Sequence, residues 1–221
     1  MRVAVCISGQ PRNWHVSRQQ QIKDRLAEFD EVDFYGHAWD YEPEGFAGVL
    51  KVTNQKQDFQ QIFDRMIAMS QYWRFVYYKD KSEFIHNVSY EQLFDATCAA
   101  YGQHLSAWKC FNVIIHKYDV ALRIRWDTSP TPEGRLLHKE VQSQEAKIGW
   151  YGPRNTLYDH CMWLNSKAVN KFAGEDFAKQ IIQVNLQHGG RIDSHKLWMR
   201  LLGFAHWDIA HSTEVPFRIK R

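Results

Sequence analysis

The residues of this chain best suited to chemistry follow one apolar run, Tyr118-Asp119-Val120-Ala121-Leu122-Arg123-Ile124-Arg125-Trp126-Asp127-Thr128-Ser129. An aspartate leaving a buried strand, as Asp127 does, offers hard carboxylate oxygens to Mn2+ or Mg2+. An ion held there bridges the two phosphates of a diphosphate and neutralises it as a leaving group. Arg123 and Arg125 fall on alternate residues and share one side of the strand, from which either reaches a phosphate. The plainer alternative is that Asp127 caps a turn before Pro130. A second group, Ser8-Gly9-Gln10-Pro11-Arg12, closes the first apolar run. Gly9 lets the backbone approach a ligand, and Ser8, Gln10 and Arg12 supply donors; an ordinary strand-to-helix turn is the alternative.

These groups need a scaffold, and the pattern around them is alternating strand and helix. Arg2 to Ser8 reads as a strand buried on both faces. Trp14 to Phe29 has helical spacing at Ile22, Leu26 and Phe29, and Val32 to Tyr35 reads as a second strand closed by Gly36. This order predicts a parallel pair with a right-handed crossover. Residues 40–57 read as a loop, Phe59 to Met69 as a helix and Arg74 to Tyr78 as a strand. A long helix is expected from Tyr90 to His116 with a break near Gly102, then a strand from Asp119 to Ile124. Pro130, Pro132 and Gly134 end regular structure there. Ile148 to Tyr151 is a further strand candidate. Ser166 and Ser194 are candidate N-caps for helices through Phe172 and Leu202. The expected architecture is α/β: one domain over residues 1–221 with a mostly parallel central sheet flanked by helices and functional loops at the carboxyl ends of its strands.

Composition narrows the partners. The chain has 221 residues, of which 44% are hydrophobic and 14% aromatic, enough for a packed core. Its formal charge of +3 comes from dispersed Lys and Arg, which argues against nucleic acid as the main partner. No stretch approaches the roughly 18 to 20 apolar residues of a membrane span, so no integral membrane segment is expected. The first residues turn polar too soon for a signal peptide. Four cysteines stand singly with no Cys-x-x-Cys pair, which suits packing in a reducing cytoplasm. Nine tryptophans suit either sugar faces or core filling. His86, His104, His116, His138, His188, His206 and His211 have no ligand-like spacing and read as surface or packing residues.

Three segments together resemble a family. Ser8 to Arg12, the run Val32-Asp33-Phe34-Tyr35-Gly36-His37-Ala38-Trp39-Asp40 and the Tyr118 to Asp127 segment are similar to motifs of WavE-like bacterial and viral polysaccharide glycosyltransferases. They occur in the family's order across roughly the first 130 residues. The resemblance implies a GT-A-like fold and a metal-dependent hexosyltransferase using a nucleotide-diphosphate sugar, with a UDP-sugar favoured. It implies a glycan or other hydroxyl acceptor. The donor half would span 1–130 and the acceptor half 131–221.

By the same resemblance Asp127 is the metal acid of a DXD-type motif, with Ser129 where a second acid is expected. The donor site then draws on Ser8, Gly9, Gln10, Pro11, Arg12, His37, Trp39, Asp40, Lys109, Arg123 and Arg125. Asp159, in Leu157 to Leu164, corresponds to an aspartate that follows a strand and faces the acceptor. Asp193 and His195 are the other candidates for a catalytic base, and His195 is also a candidate metal ligand. Rival readings are a non-catalytic nucleotide-sugar or glycan-binding module, a metal-dependent phosphohydrolase and an RNA-binding protein.

Overall fold

The chain builds its sheet from strands whose side chains alternate between two apolar layers. The computed structural model describes residues 1–9, 17–37, 50–52, 98–152, 158–187, 194–205 and 208–219. The helix expected at Phe59 to Met69 and the strand at Arg74 to Tyr78 lie outside them. The described elements are β1 (Arg2–Ser8), α1 (Ser17–Arg25), β2 (Glu31–His37), β3 (Leu50–Val52), α2 (Cys98–Ile114), β4 (Val120–Arg125), β5 (Thr128–Pro130), β6 (Lys147–Tyr151), β7 (Cys161–Asn165), α3 (Ser166–Ala173), α4 (Glu175–Gln187), α5 (Ser194–Ala205), β8 (Asp208–Ser212) and β9 (Phe217–Ile219).

Seven strands form one sheet in the order β3-β2-β1-β4-β7-β6-β8, and β5 and β9 pair separately. β2, β1 and β4 run parallel. β7 runs against both β4 and β6, and β8 runs with β6. Thus β1, β2, β4, β6 and β8 share one direction, and only β3 and β7 oppose it. Because β7 pairs directly with β4, the sheet is continuous across residue 130.

In β1, Ala4 and Cys6 join a core with α2, α3, α4 and α5, while Val3, Val5 and Ile7 join one with Ile22, Leu26 and Phe29. That is the period-2 alternation of a strand covered on both faces. The result is three layers around the sheet, an α/β architecture. Among the described residues, no helix is long and apolar enough to cross a membrane.

Several elements differ from their sequence reading. Leu50–Val52 is a strand within the expected loop, pairing antiparallel with β2; three residues are too few to show a period. α2 passes Gly102 without a break, running from Cys98 to Ile114. A short strand, Thr128–Pro130, precedes the end of regular structure expected at Pro130, because it pairs with Phe217–Ile219. The cap of α3 is Asn165, not Ser166: Asn165 has extended backbone and its side chain accepts from the Ala168 N–H at 2.9 Å.

Candidate functional site

The parallel strands β2, β1 and β4 end together, and their register aligns His37, Ser8 and Arg125 at the carboxyl edge. β7 begins beside the end of β4, with Ile124 opposite Cys161. Asp159 and His160, just before β7, therefore stand at the same edge. Asp159 precedes an antiparallel strand rather than following a strand closely, and it stands at this edge because β7 runs backwards. α5 brings His195, and α2 brings Gln103 and Ser106.

The β1–β2 corner is tightly held. Ser8 and His37 are fully buried. The Ser106 hydroxyl donates to the His37 carbonyl at 3.0 Å and receives the Gly9 N–H at 3.0 Å. His37 Nδ1 lies 2.7 Å from the same oxygen. A hydroxyl has one proton, already given to the carbonyl, so this network assigns the His37 ring proton to Nδ1. Gly9 adopts a φ of +107°, a conformation that glycine takes without cost. Ser8 and His37, two expected donor-site residues, thus build the floor of the edge.

Beside them lies a charged cluster. Arg123 is buried; its Nε donates to Ser8 Oγ at 3.0 Å and its Nη1 to the Asp159 carbonyl. Burial lowers its pKa to about 10, partly countered by the Asp159 charge. Arg125 donates from Nε and Nη2 to Asp127 Oδ1 and Oδ2 at 2.9 and 2.6 Å. Its Nη1 reaches Asp159 Oδ1 and Oδ2 at 3.3 and 3.2 Å. Burial alone would lower the Arg125 pKa, but its bonds to Asp127 and the Asp159 charge outweigh that and raise it. Arg18 donates to the Trp126 carbonyl at 3.1 Å; burial lowers its pKa against the pull of Asp127.

Asp159 is further held by Gln103, whose Nε2 donates to Oδ2 at 2.9 Å and to the Asp159 carbonyl at 3.2 Å. The Asp159 N–H donates to His195 Nδ1 at 3.2 Å, and His195 Nε2 lies 3.8 Å from Asp159 Oδ1. The neutral His195 ring therefore carries its proton on Nε2. Tyr158 stacks on His160 at 5.1 Å between centroids and meets His195 edge-on at 6.5 Å. Burial pushes the His160 pKa down to about 4.

The residues present do not fit a divalent ion at Asp127. Both of its oxygens accept from Arg125, and the same guanidinium engages Asp159. An ion there would have to displace that guanidinium from both Asp127 oxygens. Of the other expected ligands, Ser129 pairs with Arg218 in the β5–β9 ladder, and His195 Nδ1 accepts from the Asp159 N–H at 3.2 Å. Among the described residues, no group of three or more His, Cys, Asp or Glu side chains is arranged to hold a metal.

The structure thus brings together Ser8, Gly9, His37, Arg123, Arg125, Asp127, Asp159 and His195. Lys109 stands elsewhere on α2, with Nζ 5.8 Å from the Trp108 ring. Gln10, Pro11, Arg12, Trp39, Asp40 and Asp193 lie outside the described residues. Sequence reasoning missed Gln103, Ser106, Arg18 and His160. Gln103 and Ser106 did leave a signal: they share a helical stripe with Ala107, Cys110, Phe111 and Ile114, all buried. A polar residue within an apolar stripe has a buried partner to satisfy.

No protein-family model and no curated protein matches the sequence.

Proposed function

We propose that this chain is a glycosyltransferase of GT-A-like fold, moving a sugar from a nucleotide-diphosphate sugar, a UDP-sugar in first preference, to a glycan or other hydroxyl acceptor. The observation that supports this most is the pairing of Arg123 and Arg125 at the carboxyl edge of the parallel strands. Open α/β sheets bind ligands at that edge, and guanidinium groups match phosphate oxygens in charge and shape. Arg18, Arg123 and Arg125 set three positive charges against those of Asp127 and Asp159, which favours an anion.

In the transfer, the bond from the anomeric carbon to the donor phosphate oxygen breaks and a bond to the acceptor oxygen forms. The departing diphosphate gains charge as that bond breaks, and fixed guanidinium groups stabilise it without reorganising. The acceptor proton leaves to a base; Asp159 and His195 are the candidates for it at this edge, with Asp159 Oδ2 3.2 Å from Arg125 Nη1. Holding donor and acceptor at one edge supplies much of the rate through positioning.

A non-catalytic nucleotide-sugar-binding module is the second reading, favoured by the engagement of Asp159 with Arg125, Gln103 and His195. A thermal-shift panel of nucleoside diphosphates and their sugars tests the shared premise. Binding to the folded state raises the melting temperature by mass action. We expect a rise with one nucleotide family, lost in Arg125→Met. No rise with any member would sink both readings.

A further inference from the structure

We infer that Arg125 itself takes the place of the divalent cation at this edge, so that the donor diphosphate is met by a carboxylate-braced guanidinium and binding is independent of metal. This rests on the reading of the edge as the donor site.

Exposure decides which charge a ligand encounters. The Arg125 side chain keeps 20% of its surface accessible, against 6% for Asp127 and 3% for Asp159. A solute arriving here therefore meets the cation, while the acids lie behind it. Both acids engage that group: Asp127 through a two-bond fork and Asp159 through Nη1, with Gln103 also on Asp159. A metal site needs the reverse, with carboxylate oxygens turned toward the ion and cations held away. The local donors are in surplus as well, since Arg123 Nη2 is buried with no hydrogen-bond partner among the described residues.

The bracing also explains why two acids sit in an anion site. A lone arginine would lose side-chain entropy on gripping a phosphate. Gripped from two sides, Arg125 is already ordered, as Thr128 Oγ1 orders the turn by donating to the Arg125 carbonyl at 2.7 Å. Asp127 is then a positioning residue, acting through Arg125 rather than through an ion.

The test is isothermal titration of wild-type protein with UDP, GDP, CDP, ADP and dTDP, each with EDTA and with MnCl2. Alongside it, electron paramagnetic resonance follows free Mn2+ as protein is added. We expect one nucleotide to bind with the same affinity, within about twofold, in EDTA and in Mn2+. Arg125→Met should weaken it at least about tenfold. Asp127→Asn keeps one oxygen for Arg125 and should weaken it less, still without metal dependence. Circular dichroism identifies any variant that has failed to fold, and Asp127→Asn then decides alone. Wild-type protein should leave the free Mn2+ signal unchanged. Binding that vanishes in EDTA and returns with Mn2+, or is abolished in Asp127→Asn, overturns the inference while leaving the donor site standing. No nucleotide binding under any condition overturns both.

Discussion

Arg125 donates to both carboxylate oxygens of Asp127, two residues further along the chain, at 2.9 and 2.6 Å. The pair closes the turn between β4 and β5 and fixes a cation at the end of the parallel strands. The same guanidinium reaches Asp159 at 3.2 Å, so the first strands of the sheet and the turn into β7 are joined through one side chain. Removing one member of so buried a pair strands the other's charge, which makes the cluster sensitive to substitution as a unit.

Gln103 supplies the neutral half of the Asp159 environment. Gln103→Leu leaves Oδ2 with Arg125 and without the 2.9 Å amide bond. Loss of a hydrogen bond to a charged group costs about 1.5 to 3 kcal/mol, so kcat for sugar transfer should fall about tenfold or more. The donor KM should change little, because Gln103 acts on Asp159 and not on the phosphates. Steady-state kinetics with varied donor checks this; a rise in KM at constant kcat would place Gln103 on the donor instead.

Gly36 has a packing role that its position in β2 hides. A Cβ there would come within 2.6 Å of the Trp126 ring, which is fully buried and donates from Nε1 to the His37 carbonyl at 2.9 Å. Gly36→Ala forces that ring to move, and overpacking of this kind costs about 1 to 3 kcal/mol. Urea unfolding should show the midpoint falling. An unchanged midpoint would mean that the ring shifts freely, against its observed bond.

Acid should weaken the fold through His160. Burial holds its pKa at about 4, below the ordinary value near 6.5 that the unfolded chain recovers. Between those values the unfolded state binds more protons, so stability falls as pH drops from 6.5 toward 4. At pH 5 the contribution is about 2 kcal/mol at 1.36 kcal/mol per unit. His138, also lowered by burial, acts in the same direction. Unfolding free energies at pH 7 and pH 5 should differ less in His160→Gln than in wild type. An equal difference in both would remove His160 from the account.

Much of this scaffold is legible in the sequence because buried strands advertise themselves. Val3 to Ile7 is an unbroken apolar run, and the strand read around it, Arg2 to Ser8, forms β1 with those bounds. β2 extends past Tyr35 to His37 because its pairing with β1 continues through Gly36, which composition alone reads as a stop. β8 and β9 went unread: Asp208–Ser212 is a mostly exposed edge strand and Phe217–Ile219 has only three residues, so neither carries a usable period. Parts of the family-like motifs are structural as well. Asp33 accepts from Tyr118, whose hydroxyl lies 2.6 Å from that of Tyr35, and Asp119 accepts from the Arg2 N–H at 2.6 Å. At the edge, the sequence identified Arg125 and Asp127 separately, one for phosphate and one for metal. Their two-residue spacing already allowed them to meet on one face of the strand, and pairing is the cheaper arrangement for two opposite charges removed from water.

The most direct test of sugar transfer is release of nucleoside diphosphate from a panel of nucleotide-sugars, with water and with glycan hydroxyls as acceptors, by wild type and Arg125→Met. We predict release from donors of one nucleotide family by wild type, stimulated by an acceptor and lost in the variant. Donor binding without release under any acceptor condition would contradict the account and leave the chain a binding module.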